Sequence, residues 1–101
     1  MLKDKLRKSP LLVAYFSQDD CQVCKVLKPK IINLVDSFKG VEFLYIDIKA
    51  HPAISGQHLV FSIPTIIVFV SGKEHIRFSR HFSVSDLNGV LEKLQDLAFG
   101  E

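Results

Sequence analysis

The chain is expected to be an α/β domain in which helices flank a central mixed β-sheet of four strands. Three observations predict this. Strand-type and helix-type patterns alternate along the chain. The first strand pattern, Leu11 to Phe16, is apolar throughout, as expected of a strand covered on both faces. The last two strand patterns are separated only by Ser71-Gly72-Lys73, too short for a crossover, so that pair must be antiparallel.

Taken in order, Leu2 to Arg7 suits a short helix stopped by Ser9-Pro10. Leu11-Leu12-Val13-Ala14-Tyr15-Phe16 follows as the first strand. Ser17 to Asp20 form a polar turn, with Asp20 as N-cap of a helix that begins at Cys21. In that helix Val23, Val26, Leu27, Ile31, Leu34, Val35 and Phe38 recur at helical spacing, and Gly40 is the stop. Pro29 lies inside it and removes one intrahelical bond, which predicts a kink rather than an end.

Val41 to Ile48 reads as a second strand, and Ala50 to Leu59, opened by Pro52, as a short helix. Thr65 to Val70 is a β-branched third strand and Glu74 to Arg80 a fourth. The last helix opens with Ser83 as N-cap and Asp86 three residues on, a capping-box pair. It is expected to bury Val84, Leu87, Val90, Leu91, Leu94 and Leu97, with Gly89 costing about 1 kcal/mol relative to alanine.

At 101 residues, 48% of them hydrophobic, the sequence reads as a single domain over 1–101 that needs no disulfide scaffold to fold. The net charge is +2, with Lys and Arg spread along the chain, which disfavours a nucleic-acid partner. No apolar run approaches the roughly 18 residues of a membrane span. The charged start, without a small-residue cleavage site before Cys21, points to a cytoplasmic protein. In that compartment thiols are kept reduced, so a lone cysteine pair is expected to be catalytic.

Cys21 and Cys24 are the only cysteines, placed between a strand and a helix as CxxC. A helix N-terminus stabilises a thiolate through its unpaired N–H groups and the positive end of its dipole, which favours Cys21 as nucleophile. Cys24, nearly one turn on, is placed to attack a mixed disulfide on Cys21. The pair carries the electrons, so no organic cofactor and no metal is expected. A four-thiolate zinc site, or an iron-sulfur site built by a dimer, needs a second chain or other ligands. His51, His58, His75 and His81 stand at no recognisable ligand spacing from the pair.

With these residues in place, the chain resembles the thioredoxin family over most of its length. The likeness rests on the CxxC followed by Lys25, on Pro29 five residues beyond Cys24, on Ser62-Ile63-Pro64-Thr65 before a β-branched strand, and on Gly72 in the terminal hairpin. The resemblance implies a thioredoxin-like fold with a four-stranded sheet, shortened at the N-terminus because only ten residues precede Leu11. It implies that Pro64 is cis and faces the cysteines, that Ile63 offers its backbone to an extended substrate, and that Pro64 blocks metal capture. Gln22, Val23 and Asp20 would border the same substrate. The strand from Val41 would lie at an edge, either covered by the N-terminal segment or used to pair two chains; a monomer is expected.

The departures matter as well. Asp20 stands where the family usually has a tryptophan, and the chain has none. Tyr15 stands where many thioredoxins hold a buried aspartate that helps deprotonate the second cysteine. A phenol is a poor base near neutral pH, so resolution by Cys24 is expected to be slow or to use water or another group. Asp19 and Asp20 disfavour a thiolate, and Lys25 with Lys28 opposes them. Cys21 is expected to titrate below the free value of about 8.5. The function implied is a thiol-disulfide oxidoreductase serving cell redox homeostasis. It would reduce protein disulfides and take electrons from a thioredoxin reductase or glutathione. The alternative is a redox-sensitive docking module without general reductase activity.

Overall fold

The computed structural model of the chain describes residues 2–79 and 82–99. The elements run α1 (Leu2–Lys8), β1 (Leu11–Ser17), α2 (Gln22–Asp36), β2 (Val41–Asp47), α3 (Pro52–Gln57), β3 (Thr65–Val70), β4 (Lys73–Ser79) and α4 (Val84–Phe99). This is the expected order. The four strands form one mixed sheet in the order β2-β1-β3-β4. β1 runs parallel to β2 and antiparallel to β3, and β3 pairs antiparallel with β4.

Strand alternation sorts the core into two layers. Leu11, Val13 and Tyr15 of β1, with Ile66 and Val68 of β3, face Ile31 and Val35 of α2 and Leu87, Leu91 and Leu94 of α4. Leu12, Ala14 and Phe16, with Ile67 and Phe69, face the opposite way, where Leu6 of α1 and Ile54 of α3 pack. Every residue of β1 is buried, which is why its sequence lacks a polar face. β2 is an edge strand. α1 approaches it through an ion pair, Lys5 Nζ to Glu42 Oε2 at 2.9 Å, which holds Glu42 below the usual carboxylate range.

Several expectations are corrected in detail. α3 is shorter than Ala50 to Leu59. The Asp47 side chain accepts from the backbone N–H of Lys49 and of Ala50, forming a turn before the helix, and Leu59 stops it with a left-handed φ of 55°. The hairpin turn is Ser71-Gly72 alone, both at positive φ, so Lys73 pairs with Val70 and β4 starts one residue early. Arg80, placed at the end of that strand, and His81, one of the four histidines weighed as ligands, lie outside the described residues.

The capping box of α4 forms in both directions, the Ser83 N–H donating to Asp86 Oδ2 and the Asp86 N–H to Ser83 Oγ, each at 3.1 Å. Leu97, expected in the core, is 76% exposed. α2 continues through Pro29 without a break in the helix.

Candidate active site

β1 and α2 meet at the end of the sheet where the parallel pair β1 and β2 finishes, and Cys21 stands at that junction. It is the N-cap of α2, with φ −87° and ψ 107°, so the cap is Cys21 itself and not Asp20. A residue in that extended conformation aims its side chain back at the first turn, and the Cys24 N–H donates to Cys21 Sγ at 3.2 Å. The Cys21 carbonyl accepts the first helical bond from the Lys25 N–H at 3.1 Å. An ordinary N-cap oxygen is thus replaced by sulfur. That sulfur faces a fixed N–H donor at the positive end of a helix of 15 residues, a setting that favours a thiolate over a thiol.

Cys21 and Cys24 form a disulfide, with their Cα atoms 5.2 Å apart. Their surroundings differ. Cys21 is partly exposed, whereas Cys24 is only 1% exposed and packs in the layer with Tyr15, Ile31 and Leu87. Ile63 and Cys21 each pack against this same layer. The Ile63–Pro64 peptide is cis, and Pro64 is buried at the foot of β3.

Beneath the pair, Tyr15 is fully buried. Its hydroxyl donates to the Cys24 carbonyl at 2.9 Å, and its ring lies 6.2 Å from Phe43 and 6.3 Å from Tyr45. Burial, with a smaller contribution from Tyr45, pushes its phenol up to about 12. Burial also raises Tyr45, whose ring is covered by Lys28 Nζ at 3.9 Å.

On the solvent side the expected charges are exposed: Asp19, Asp20 and Lys25. The cation in contact with Asp20 is Lys49, Nζ to Oδ2 at 3.0 Å, and that bond is the main cause holding the Asp20 carboxyl below its usual range. Sequence reading missed Lys49, which lies 29 residues away. The parallel register explains the meeting. Ser17 sits opposite Asp47, the Ile48 N–H bonds the Ser17 carbonyl at 2.9 Å, and the Asp47 turn then directs Lys49 towards the loop ahead of Cys21.

Gln22 and Val23 are exposed, and Val23 with Val26, Leu27 and Lys30 lines a shallow apolar groove beside the pair. Val23 and Val26 are 64% and 63% exposed, although their spacing suggested core. At about 100° per residue, Val26 lies about 160° around the helix from Cys24, whereas Ile31 and Val35 stay within about 20° of it. Phe61, which the sequence analysis did not single out, is 85% exposed in the segment before Pro64. That segment is tied to β4 by Arg77, whose guanidinium donates to the His58 carbonyl at 2.8 Å and the Leu59 carbonyl at 3.2 Å while pairing with Glu74.

Among the described residues, no group of three or more His, Cys, Asp or Glu side chains is arranged to hold a metal ion. No described helix is long and apolar enough to cross a membrane.

Comparison with known proteins agrees with this geometry. The thioredoxin family model matches residues 2–93. The thioredoxin of Chlamydia trachomatis is 35% identical over 71 residues, covering 70% of this chain and 69% of that protein. The thioredoxin-like protein YdfQ of Bacillus subtilis is 26% identical over 87 residues, covering 86% and 78%. The structure of thioredoxin 1 from Thermosipho africanus superposes with a TM-score of 0.81 at 33% identity, over 86% of this chain and 97% of that one. A Cys21–Cys24 disulfide at the mouth of α2 on this fold, with a family match over most of the chain, places the protein in the thioredoxin family as a thiol-disulfide oxidoreductase.

Proposed function

We propose that the chain is a single domain over 1–101 that reduces protein disulfides, with Cys21 as the attacking sulfur and Cys24 as the resolving one. The observation that supports this division most directly is the difference in exposure. The partly exposed N-cap sulfur can meet a protein disulfide, whereas the buried sulfur of Cys24 can meet only a partner already attached to Cys21. In the first step the Cys21 thiolate attacks the substrate disulfide, forming a mixed disulfide and releasing one substrate thiol. Attack by Cys24 then closes the intramolecular disulfide and releases the second thiol.

In this reading the Ile63 backbone and Pro64 form the wall opposite the cysteines, and Asp20, Gln22 and Val23 border the substrate. Asp19, Asp20 and Lys25 set the charge around the Cys21 thiolate. Electrons return from a thioredoxin reductase or glutathione. We place the protein in the cytoplasm as a monomer contributing to redox homeostasis, on the expectation from sequence that a lone CxxC in a reducing compartment is catalytic. The alternative of a docking module without reductase activity is not favoured, because both sulfurs lie within bonding reach on a family fold.

Reduction of a general protein disulfide by dithiothreitol, followed with catalytic amounts of the protein, tests the assignment. Cys21→Ser is expected to abolish catalysis. Cys24→Ser is expected to accumulate a mixed disulfide at Cys21 and to turn over at a small residual rate. Mixed disulfide on Cys24 in the Cys21→Ser variant, at the rate of the native chain, would reverse the two roles.

A further inference from the structure

Resolution requires Cys24 to lose a proton inside the protein, and the groups around it limit where that proton can go. Among the described residues the titratable side chain bonded to Cys24 is Tyr15 of β1, whose ring lies 6.3 Å from that of Tyr45 on β2. Lys28 of α2 covers the Tyr45 ring, and Asp19 and Asp47 act on Tyr45 from the loop ends. The residues facing the layer from β3 and α4 are apolar, Ile66 and Leu87 among them. Among the described residues the buried polar side chains are Ser9, Ser17, Ser55 and Thr65, so no carboxylate is buried at the site.

Tyr15 keeps its proton throughout the neutral range and spends it on a hydrogen bond to the Cys24 carbonyl. That carbonyl belongs to the first turn of α2, the turn that carries both sulfurs. A fixed peptide at Cys24 fixes the direction of its Cα–Cβ bond, and hence the approach of Sγ to the Cys21 sulfur.

We propose that Tyr15 is a positioning residue for the resolving step: it pins the Cys24 peptide through its hydroxyl and takes no part in moving the proton. The inference rests on the reading that Cys21 attacks and Cys24 resolves. With substrate joined to Cys21, the Cys24 thiol gives its proton to solvent. The resulting thiolate attacks Cys21 Sγ, the Cys21–Cys24 bond forms, and the bond from Cys21 to the substrate sulfur breaks. The electron pair leaves on the substrate thiolate, which takes a proton from water. The protein dithiol is oxidised by two electrons and the substrate disulfide is reduced by two. With no internal acceptor, the rate follows the thiolate fraction of Cys24 and rises about tenfold per pH unit below its own pKa.

Stopped-flow mixing of the reduced chain with an equimolar chromogenic nitrothiobenzoate disulfide separates the steps. The first thiol released reports attack by Cys21, and the second reports resolution. Tyr15→Phe is expected to slow the second phase about fivefold at every pH, the worth of one ordinary hydrogen bond. It is expected to leave the first phase and the midpoint of the pH profile where they are.

An unchanged second phase accompanied only by a lower Tm would reduce Tyr15 to a core residue and overturn the proposal. A lost or displaced midpoint would make it a proton carrier and overturn the proposal in the other direction. Should Tyr15→Phe fail to fold, the unaltered chain still tests the proton's route: a second phase flat in pH between about 6 and 8, in a chain whose Cys24 thiol is shown by alkylation to titrate above that range, requires an internal acceptor and overturns the proposal. Absence of any second phase in the unaltered chain overturns the assignment of Cys24 as resolving sulfur, and the inference with it.

Discussion

The two sides of the CxxC turn are built from different materials. The inner side is Cys24, Tyr15, Ile31 and the apolar face of α4, buried and fixed by packing and by a buried hydrogen bond. The outer side is Cys21, Asp20 with Lys49, and the exposed Val23 and Val26, where contacts are few and solvent screens the charges. On the proposed division of roles, resolution by Cys24 would be governed by the geometry of the core, whereas attack by Cys21 and substrate choice would be governed by a surface that changes at little cost to stability. Substitutions on the inner side should therefore unfold the protein or slow its second step. Those on the outer side should adjust reactivity.

The sharpest test is stability. Leu91 of α4 is fully buried against the layer that holds Cys24. Leu91→Ala should cost about 2–5 kcal/mol, read from chemical denaturation of the oxidised chain. A loss below about 1 kcal/mol would show that the inner layer collapses easily and would erase the distinction between the two sides.

A smaller effect follows from Tyr15 in alkaline solution. The folded-state pKa of about 12 lies above the unfolded value near 10, so the phenol's contribution is fully present below about pH 10. It is lost as pH rises from there towards 12, by linkage up to about 3 kcal/mol. Denaturation midpoints of the native chain should fall more steeply across that window than those of Tyr15→Phe. Parallel curves would mean that the hydroxyl reaches water.

The inner side was readable in the sequence to a degree that the outer side was not. An all-apolar β1, the helical period through Ile31 and Val35, and the Ser83–Asp86 cap each depend on residues close in sequence, and each formed. Local signals also located the cysteines between strand and helix. They erred where phase or distance decided. Val23 and Val26 share the apolar composition of the core stripe but sit off it, Val23 on its flank and Val26 on its far side, a distinction that composition does not carry. Leu97 continues the period of α4 past the last buried leucine, Leu94. Asp20 looked like a cap because caps are usually oxygen acids or hydroxyls, yet the backbone turns at Cys21. The Asp20–Lys49 pair is legible only after the register of β1 against β2 is known.

That pair gives the smallest expected effect and the most specific test of the outer side. Lys49 bonds the aspartate next to Cys21, so on the proposed role of Cys21 it would offset a charge that disfavours a thiolate there. The depressed Asp20 pKa means that the pair is intact above the ordinary carboxylate range and is lost only as pH falls through it, so it is present where thiols react. Lys49→Met should slow alkylation of reduced Cys21 at neutral pH by about twofold, the modest scale of a solvent-exposed ion pair. Asp20→Asn should speed it by a similar factor, and adding Lys49→Met to Asp20→Asn should slow it again by about the same factor, because each charge acts on the sulfur through its own field. High salt should shrink the difference between Lys49→Met and the native chain. Slowing by Lys49→Met that vanishes in the Asp20→Asn background would mean that Lys49 acts by holding the carboxylate in place rather than through its own charge, so that the Cys21 sulfur answers to the geometry of the loop and not to the field of the cation at the end of β2.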